Sequence, residues 1–464
     1  MSRKSLLSYT IGMGGSALLT LVSFPILSWL FEPEIIGALS LFQVYVTLLV
    51  LIFSLGLDQY YVRQYNEICN KERLRFAVFL PGLVLILITA LLVVAVSLLF
   101  NYSGISEVYL LFIGVSMLFT ERFLSVFIRM EEKAILFALS KLMLRITFLL
   151  SLGLFWLTEL DDSAFNLISA QVLSWSVTIA IMLLVFCRCF DIRSDRKEFR
   201  RLVYDGLAFG LPLALNSMVF WLLTSLDRIM LERLSSLTAL GVYSVAMGIA
   251  GFSLLFQQVF TVVWHPTVYR WHSEGIDIKK LELILRVTQF CCLTLITLIG
   301  MFSWIVPAFF PEDYEIIGSL LLPCMLPPLY LLLGEITGIG ISLTKRTKVM
   351  PLISLASLLL NAALNYLLLP LYGAIGAAVS SVVSFFIFFV FKSLASRKLW
   401  LPLPILRVNT VMAIITILVI TNAFLYSQNV AFFTVLWASV FIIVLTLYRR
   451  EFFLIVNQLK ARLS

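Results

Sequence analysis

Apolar runs of 19–27 residues, broken by short polar stretches, recur from one end of the chain to the other. Fourteen stand out, at 6–31, 35–57, 76–100, 107–129, 134–157, 165–187, 203–226, 238–264, 283–306, 318–343, 349–369, 373–391, 406–426 and 430–448. At ~1.5 Å per residue, each is long enough to cross a hydrocarbon layer about 30 Å thick as a helix. The pattern therefore predicts an all-α polytopic membrane protein with fourteen spans.

The polar stretches between the runs differ in sign. The N-terminus and every second loop after it (1–5, 58–75, 129–133, 188–201, 265–286, 344–350, 392–407 and 449–464) hold 29 of the 34 Lys and Arg residues. The intervening loops hold Arg228 and Arg233, and lean acidic, as in Glu159-Leu160-Asp161-Asp162 and Glu312-Asp313-Tyr314-Glu315. Cytoplasmic loops carry the excess of basic residues, so both termini are expected in the cytoplasm. A missed or spurious span would have inverted the alternation downstream of it. The first run follows Arg3 and Lys4 as a signal peptide would, but it shows no convincing cleavage site and is expected to stay as the first span.

The remaining three cations lie inside apolar runs. Two spans, joined by the turn Met130-Glu131-Glu132-Lys133, carry Glu121 and Arg122 on the first and Lys141 and Arg145 on the second. Four charges facing lipid would cost roughly 10 kcal/mol, so they must face protein or water. Counted from the turn, Arg122 and Lys141 lie roughly 10–12 Å deep and Arg145 roughly 16 Å. Lys141 and Arg145 share a helix face. With Glu121 the nearby counter-charge, the group reads either as an ion-pair knot that fixes helix packing or as a cationic patch on the path of an anionic substrate.

Composition agrees with the membrane assignment: 61% of residues are hydrophobic, 13% are charged and mean hydropathy is +1.03. The net charge of +8 belongs to membrane topology, and no nucleic-acid partner is expected. Six scattered cysteines lack metal spacing and read as packing residues. His265 and His272 show no partner that suggests catalysis or metal binding. With no Walker A loop, dinucleotide motif, metal cluster or Ser/His/Asp set, the chain is not expected to be an enzyme. No cofactor is expected, and any active transport would draw on an ion gradient such as H⁺ or Na⁺, a substrate gradient, or a partner protein.

The basic loop 188–201 reads as a linker between an N-terminal lobe of six helices, 1–187, and a C-terminal one, 202–391, with two further helices and a cytoplasmic tail over 392–464. The halves echo weakly at an offset of 204: Gly37 and Ser40 with Gly241 and Ser244, Tyr65 with Tyr269.

Three stretches carry a resemblance. They are Gly210-Leu211-Pro212-Leu213 with Asn216, Ser225-Leu226-Asp227-Arg228 and Gly241-Val242-Tyr243-Ser244; Asn361 to Pro370 running into Gly373-Ala374-Ile375-Gly376-Ala377-Ala378; and Pro33 to Gly37 followed by Ser54-Leu55-Gly56-Leu57-Asp58. Over residues ~5–400 the chain resembles the bacterial O-antigen and capsule polysaccharide flippases (Wzx-type) of the multidrug/oligosaccharidyl-lipid/polysaccharide exporter superfamily. The resemblance implies two six-helix lobes around a central cavity in the inner membrane, and alternating access that moves undecaprenyl-pyrophosphate-linked oligosaccharide units between leaflets. Membrane lipids, a polysaccharide polymerase and a chain-length regulator are the partners it suggests. Fourteen spans also resemble the lipid II flippases, whose extra helix pair adds a groove for the lipid tail. Their first-helix arginine is lacking here, since no charge falls between Phe24 and Leu30.

On this reading Arg122, Lys141 and Arg145 would bind the pyrophosphate, with arginine forks suited to phosphate oxygens. Asn216, Gln257, Gln258, Asn361 and Asn365 are candidate sugar contacts, or helix–helix hydrogen bonds. Glu335 is a candidate for ion coupling, or for a gate that pairs with the cation cluster across the lobes. Glu121 joins it as a candidate for coupling or gating. Asp58 and Asp205 read as caps or interfacial charges, with Asp58 also a gating candidate. Asp227-Arg228 reads as a structural pair or an outer gate. Tyr60 and Tyr61 fit an interfacial belt, and Gly373, Gly376, Ala377 and Ala378 a close helix contact. A drug or cation antiporter of the same fold is the first rival; it would want acids where this chain has cations. A non-transporting scaffold for polysaccharide assembly is the second.

Overall fold

The computed structural model describes residues 3–99, 105–158, 162–185, 196–275, 278–400 and 403–463. Among them no strand occurs, and seventeen α-helices follow in order: Arg3–Leu30 (α1), Pro33–Ser54 (α2), Leu57–Gln64 (α3), Lys71–Leu99 (α4), Ile105–Met130 (α5), Ala134–Thr158 (α6), Ala164–Val185 (α7), Arg196–Leu234 (α8), Leu237–Ala250 (α9), Phe252–Glu274 (α10), Ile278–Phe302 (α11), Ile317–Thr337 (α12), Ile339–Leu343 (α13), Val349–Leu399 (α14), Ile405–Leu425 (α15), Val430–Leu447 (α16) and Arg449–Leu463 (α17).

Among the described residues, eleven helices are long and apolar enough to cross a membrane, or twelve if α9 and α10, bent by 44°, form one span. Two features separate this count from the fourteen expected. For α1 the count takes in only Gly14–Leu30, although the helix itself runs from Arg3 to Leu30. The other is α14, whose 51 residues would reach about 75 Å as one rod. It does not run as a rod. Gly373 leaves helical geometry at φ 49°, ψ −122°. A Cβ on Gly376 would lie 2.5 Å from the carbonyl oxygen of Leu368, eight residues back, where an unbroken helix would set them ~12 Å apart. So α14 doubles back into two arms at the place where the apolar pattern breaks. Gly373 serves that turn rather than a packing contact, and Gly376 makes the close approach.

The chain forms two compact units, Met1–Phe31 with Ile35–Ser225, and Glu32–Glu34 with Leu226–Ser464; the division falls inside α8. The core of the first unit centres on α5, where Phe119, Phe123 and Phe127, four apart on one face, are fully buried. Phe79 of α4 packs on the first two rings and Tyr61 of α3 on the third. Tyr60 and Tyr61 thus belong to this core, at 3% and 0% exposure, and not to an interfacial belt. In the second unit α12 is the hub. It packs against α9, α10, α11, α14 and α15, is buried along nearly its whole length, and contains Pro323, Pro327 and Pro328.

Candidate functional site

The turn from α2 into α3 sets the first charged contact. Leu55 and Gly56 both adopt positive φ, 51° and 71°. Gly56 lies against Gly210 of α8 so closely that a Cβ would come within 2.2 Å of the Gly210 carbonyl oxygen. Two stretches that carry the family resemblance therefore meet here, and both need glycine. The turn points Asp58, in the first turn of α3, at Arg122 of α5. The Arg122 Nε and Nη2 donate to Asp58 Oδ2 at 3.1 and 2.8 Å. Asp58 is buried, while about a third of the Arg122 side chain stays exposed.

One residue back on α5, Glu121 faces α6. Lys141 Nζ donates to Glu121 Oε1 at 2.7 Å, and the Ser125 hydroxyl donates to the same oxygen at 2.7 Å. Glu121 is 5% exposed, and Lys141 keeps 29% of its side chain exposed. Arg145 lies one turn further along α6, half-buried. Among the described residues no hydrogen bond or ion pair engages it. Beside it, Ser174 of α7 donates to the Leu144 carbonyl at 2.8 Å and meets Thr147 at 3.0 Å, which fixes α6 on α7. The expectation of three cations around Glu121 is corrected here. Asp58 takes Arg122, Glu121 takes Lys141, and Arg145 carries the surplus positive charge.

The hairpin turn is anchored by a residue that the charge pattern had placed in a loop. Arg75 of α4 is 4% exposed, donates from Nε to the Tyr61 hydroxyl at 3.2 Å and pairs with Glu131. Burial pushes the Tyr61 hydroxyl up to about 12, so it remains protonated and accepts from arginine. Lys133 Nζ reaches Glu131 at 2.7 Å.

In the second unit Glu335 of α12 does have partners, within its own unit. Lys392, on the second arm of α14, donates to Oε1 at 3.1 Å, and His265 Nε2 of α10 lies 2.9 Å from Oε2. The Trp264 indole donates to the Glu335 main-chain oxygen at 3.0 Å. His265 therefore has an acidic partner that sequence reading missed, and Lys392, counted as a loop cation, is inside the bundle at 12% exposure. Asp227 makes no ion pair with the Arg228 side chain among the described residues. It is 2% exposed; its carboxylate accepts from Tyr243, from Ser381 at 3.1 Å, and from the Arg228 main-chain N–H at 2.9 Å. It thus ties α8, α9 and α14 together.

The candidate sugar contacts separate into two kinds. Asn361 and Asn365 are fully buried on the first arm of α14, and Asn365 Nδ2 donates to Asn361 Oδ1 at 3.0 Å. The bond lies within one helix and leaves Asn361 Nδ2 and Asn365 Oδ1 buried without partners. Asn216 and Gln258 are exposed and Gln257 is half-buried. Asp205 is half exposed, beside Arg201 at 3.7 Å. Cys187, Cys189 and most of the linker lie outside the described residues. Among the described residues no group of three or more His, Cys, Asp or Glu side chains is arranged to hold a metal ion.

Residues 2–272 match the family model described as "Polysaccharide biosynthesis protein". Among solved structures, the chain is similar to the lipid II flippase MurJ in an inward closed conformation, with TM-score 0.66 and 15% identity over 97% of this chain and 99% of that one. It is also similar to a multidrug resistance MATE family transporter of the MOP superfamily. The outward-facing form gives TM-score 0.53 and 16% identity over 85% of this chain and 94% of that one. The inward-facing form gives 0.53 and 17% over 86% and 96%. At such identities the likeness is one of fold. No curated protein matches this chain in sequence.

Proposed function

The chain belongs to the polysaccharide biosynthesis protein family, and from that premise we propose that it flips undecaprenyl-pyrophosphate-linked oligosaccharide repeat units, of O-antigen or capsule type, across the bacterial inner membrane. The coarser statement is secure: it is a multi-pass membrane protein with the fold of flippases and transporters. The observation that carries the finer one is Arg145. A cation held inside a membrane-length helix, with no carboxylate to neutralise it among the described residues, is costly unless an anion visits it. Lys141 lies one turn before it on α6 and Arg122 sits on the other helix of the hairpin; both have partly exposed side chains, each bonded to one carboxylate. A pyrophosphate brings enough negative charge to engage Arg145 and to draw the other two from Asp58 and Glu121.

In this reading Glu335 is a lock rather than an ion-coupling site. A Na⁺ at its carboxylate would sit against the Lys392 ammonium, and proton uptake would break both contacts. If an H⁺ or Na⁺ gradient drives the cycle, its coupling site lies elsewhere than Glu335; a substrate gradient or a partner protein would serve equally, and no cofactor is invoked. A drug–cation exchanger would want the opposite charge beside α6. A lipid II substrate is disfavoured by α1, which has no charged residue after Lys4.

Complementation tests the proposal. Cells lacking the endogenous gene would receive Arg122, Lys141 or Arg145 changed to Ala or Gln, with surface polysaccharide scored against membrane protein level. Loss of polysaccharide at normal protein level, with lipid-linked units accumulating inside, is the expected result. Retained polysaccharide in all the variants would remove the anion path from the hairpin.

A further inference from the structure

The second unit holds another concentration of positive charge, far along the chain from the hairpin and unused by the proposed transport path. Where α11, the start of α15 and the junction of α16 with α17 meet, they enclose a cavity of about 220 Å³. Arg286, Arg407, Arg449 and Arg450 line it, together with Gln289 and Glu451. The arginines come from three different basic loops, 265–286, 392–407 and 449–464, which the charge alternation assigns to the cytoplasmic face. The fold gathers them at one point.

Several features make this more than a charged surface. Against four arginines stands one carboxylate, Glu451, which is 9% exposed and lies 3.9 Å from Arg286. That is a loose contact and not a fork. Among the described residues no ion pair involves Arg407, Arg449 or Arg450. Gln289 is 2% exposed, and its amide nitrogen has no hydrogen-bond partner, a buried donor left over on the cavity wall. The wall is stiff: Phe290 stacks on Tyr448 and meets Phe452 edge-on, which pins the start of α17. Arg286, Arg407 and Tyr448 line the same cavity, so those charges converge on this wall.

The surroundings indicate the kind of anion. Leu447 on the rim is 65% exposed, Leu406 next to Arg407 is 60%, and Phe453 on α17 is 59%. The charged cavity therefore opens beside apolar surface, at the end of two membrane-length helices. A molecule suited to both has a phosphate attached to acyl chains. We propose that this cavity binds the phosphate of an anionic phospholipid from the cytoplasmic leaflet, with the arginines and the Gln289 amide as donors. The bound lipid would fasten α17 to α11 and α15. The assignment stands apart from the transported substrate, since none of these residues belongs to the hairpin site.

The test uses the full chain purified in nanodiscs of phosphatidylcholine, titrated with phosphatidylglycerol and followed by thermal melting. Phosphatidylglycerol should raise the melting temperature, and Arg407→Gln with Arg450→Gln should weaken that response, by about fivefold in apparent affinity for each arginine. Both side chains are exposed, so the double variant should melt like the parent in phosphatidylcholine alone. Should it not, Arg450→Gln by itself gives the same comparison at about fivefold. An equal response in parent and variant would overturn the site. Inorganic phosphate that reproduces the full stabilisation without acyl chains would overturn the lipid assignment.

Discussion

Glu121 in the first unit and Glu335 in the second each accept a lysine, Lys141 at 2.7 Å and Lys392 at 3.1 Å. Beyond that contact they diverge. Around Glu335 the circle closes: His265 takes the second carboxylate oxygen, and Lys392 is itself nearly buried. Around Glu121 it stays open. Lys141 and Arg122 keep about a third of their side chains accessible, and Arg145 brings charge that no described residue answers. The Glu335 cluster is answered within itself, whereas the hairpin keeps one positive charge over at Arg145. On the proposed function, similar residue types would serve as a fastener in one place and as a receptor in the other.

The contrast is most severely tested at Arg145. Arg145→Ala should abolish surface polysaccharide while immunoblots show normal membrane levels, and Arg145→Lys should retain part of the activity if charge alone is needed. Next in size, Lys392→Ala leaves the largely enclosed Glu335, 16% exposed, with His265 alone and should cost about 3 kcal/mol of stability. Adding Glu335→Gln should recover a large part of it, read as melting in detergent; a single variant as stable as the parent would dissolve the contrast from the other side. Asn365→Ala strips the buried Asn361 of its partner and should cost about 1–3 kcal/mol in the same assay. A double-mutant cycle on Asp58 and Arg122 should give a smaller coupling of roughly 1 kcal/mol, since the arginine is partly exposed. Asn216→Ala, at an exposed position, should leave melting within about 0.5 kcal/mol.

The all-helical, membrane-spanning character was legible because long apolar runs are a local property of the chain. The Lys141–Glu121 pair was legible as well, since a hairpin brings antiparallel positions of equal depth together. The other pairs were not. Asp58 reaches Arg122 across 64 residues, and Glu335 reaches His265 across 70 and Lys392 across 57. Nothing local to Asp58 distinguishes a helix cap from a counter-ion; only the left-handed turn at Leu55-Gly56 aims it. Arg75 and Lys392 were hidden for a different reason. Charge bias counts residues near span ends and is blind to whether a long side chain turns back into the bundle.

The three prolines of α12 have a mechanical consequence. Pro323, Pro327 and Pro328 provide no amide hydrogen, so the carbonyls of Ser319, Pro323 and Cys324 lose their usual helical donors. The most enclosed helix of the second unit therefore lacks three of its helical hydrogen bonds. A flexure at mid-length would swing the Glu335 end against the Ile317 end, and five neighbouring helices would feel it together. A weakened helix at the centre of five others would pass its bending to all of them at once.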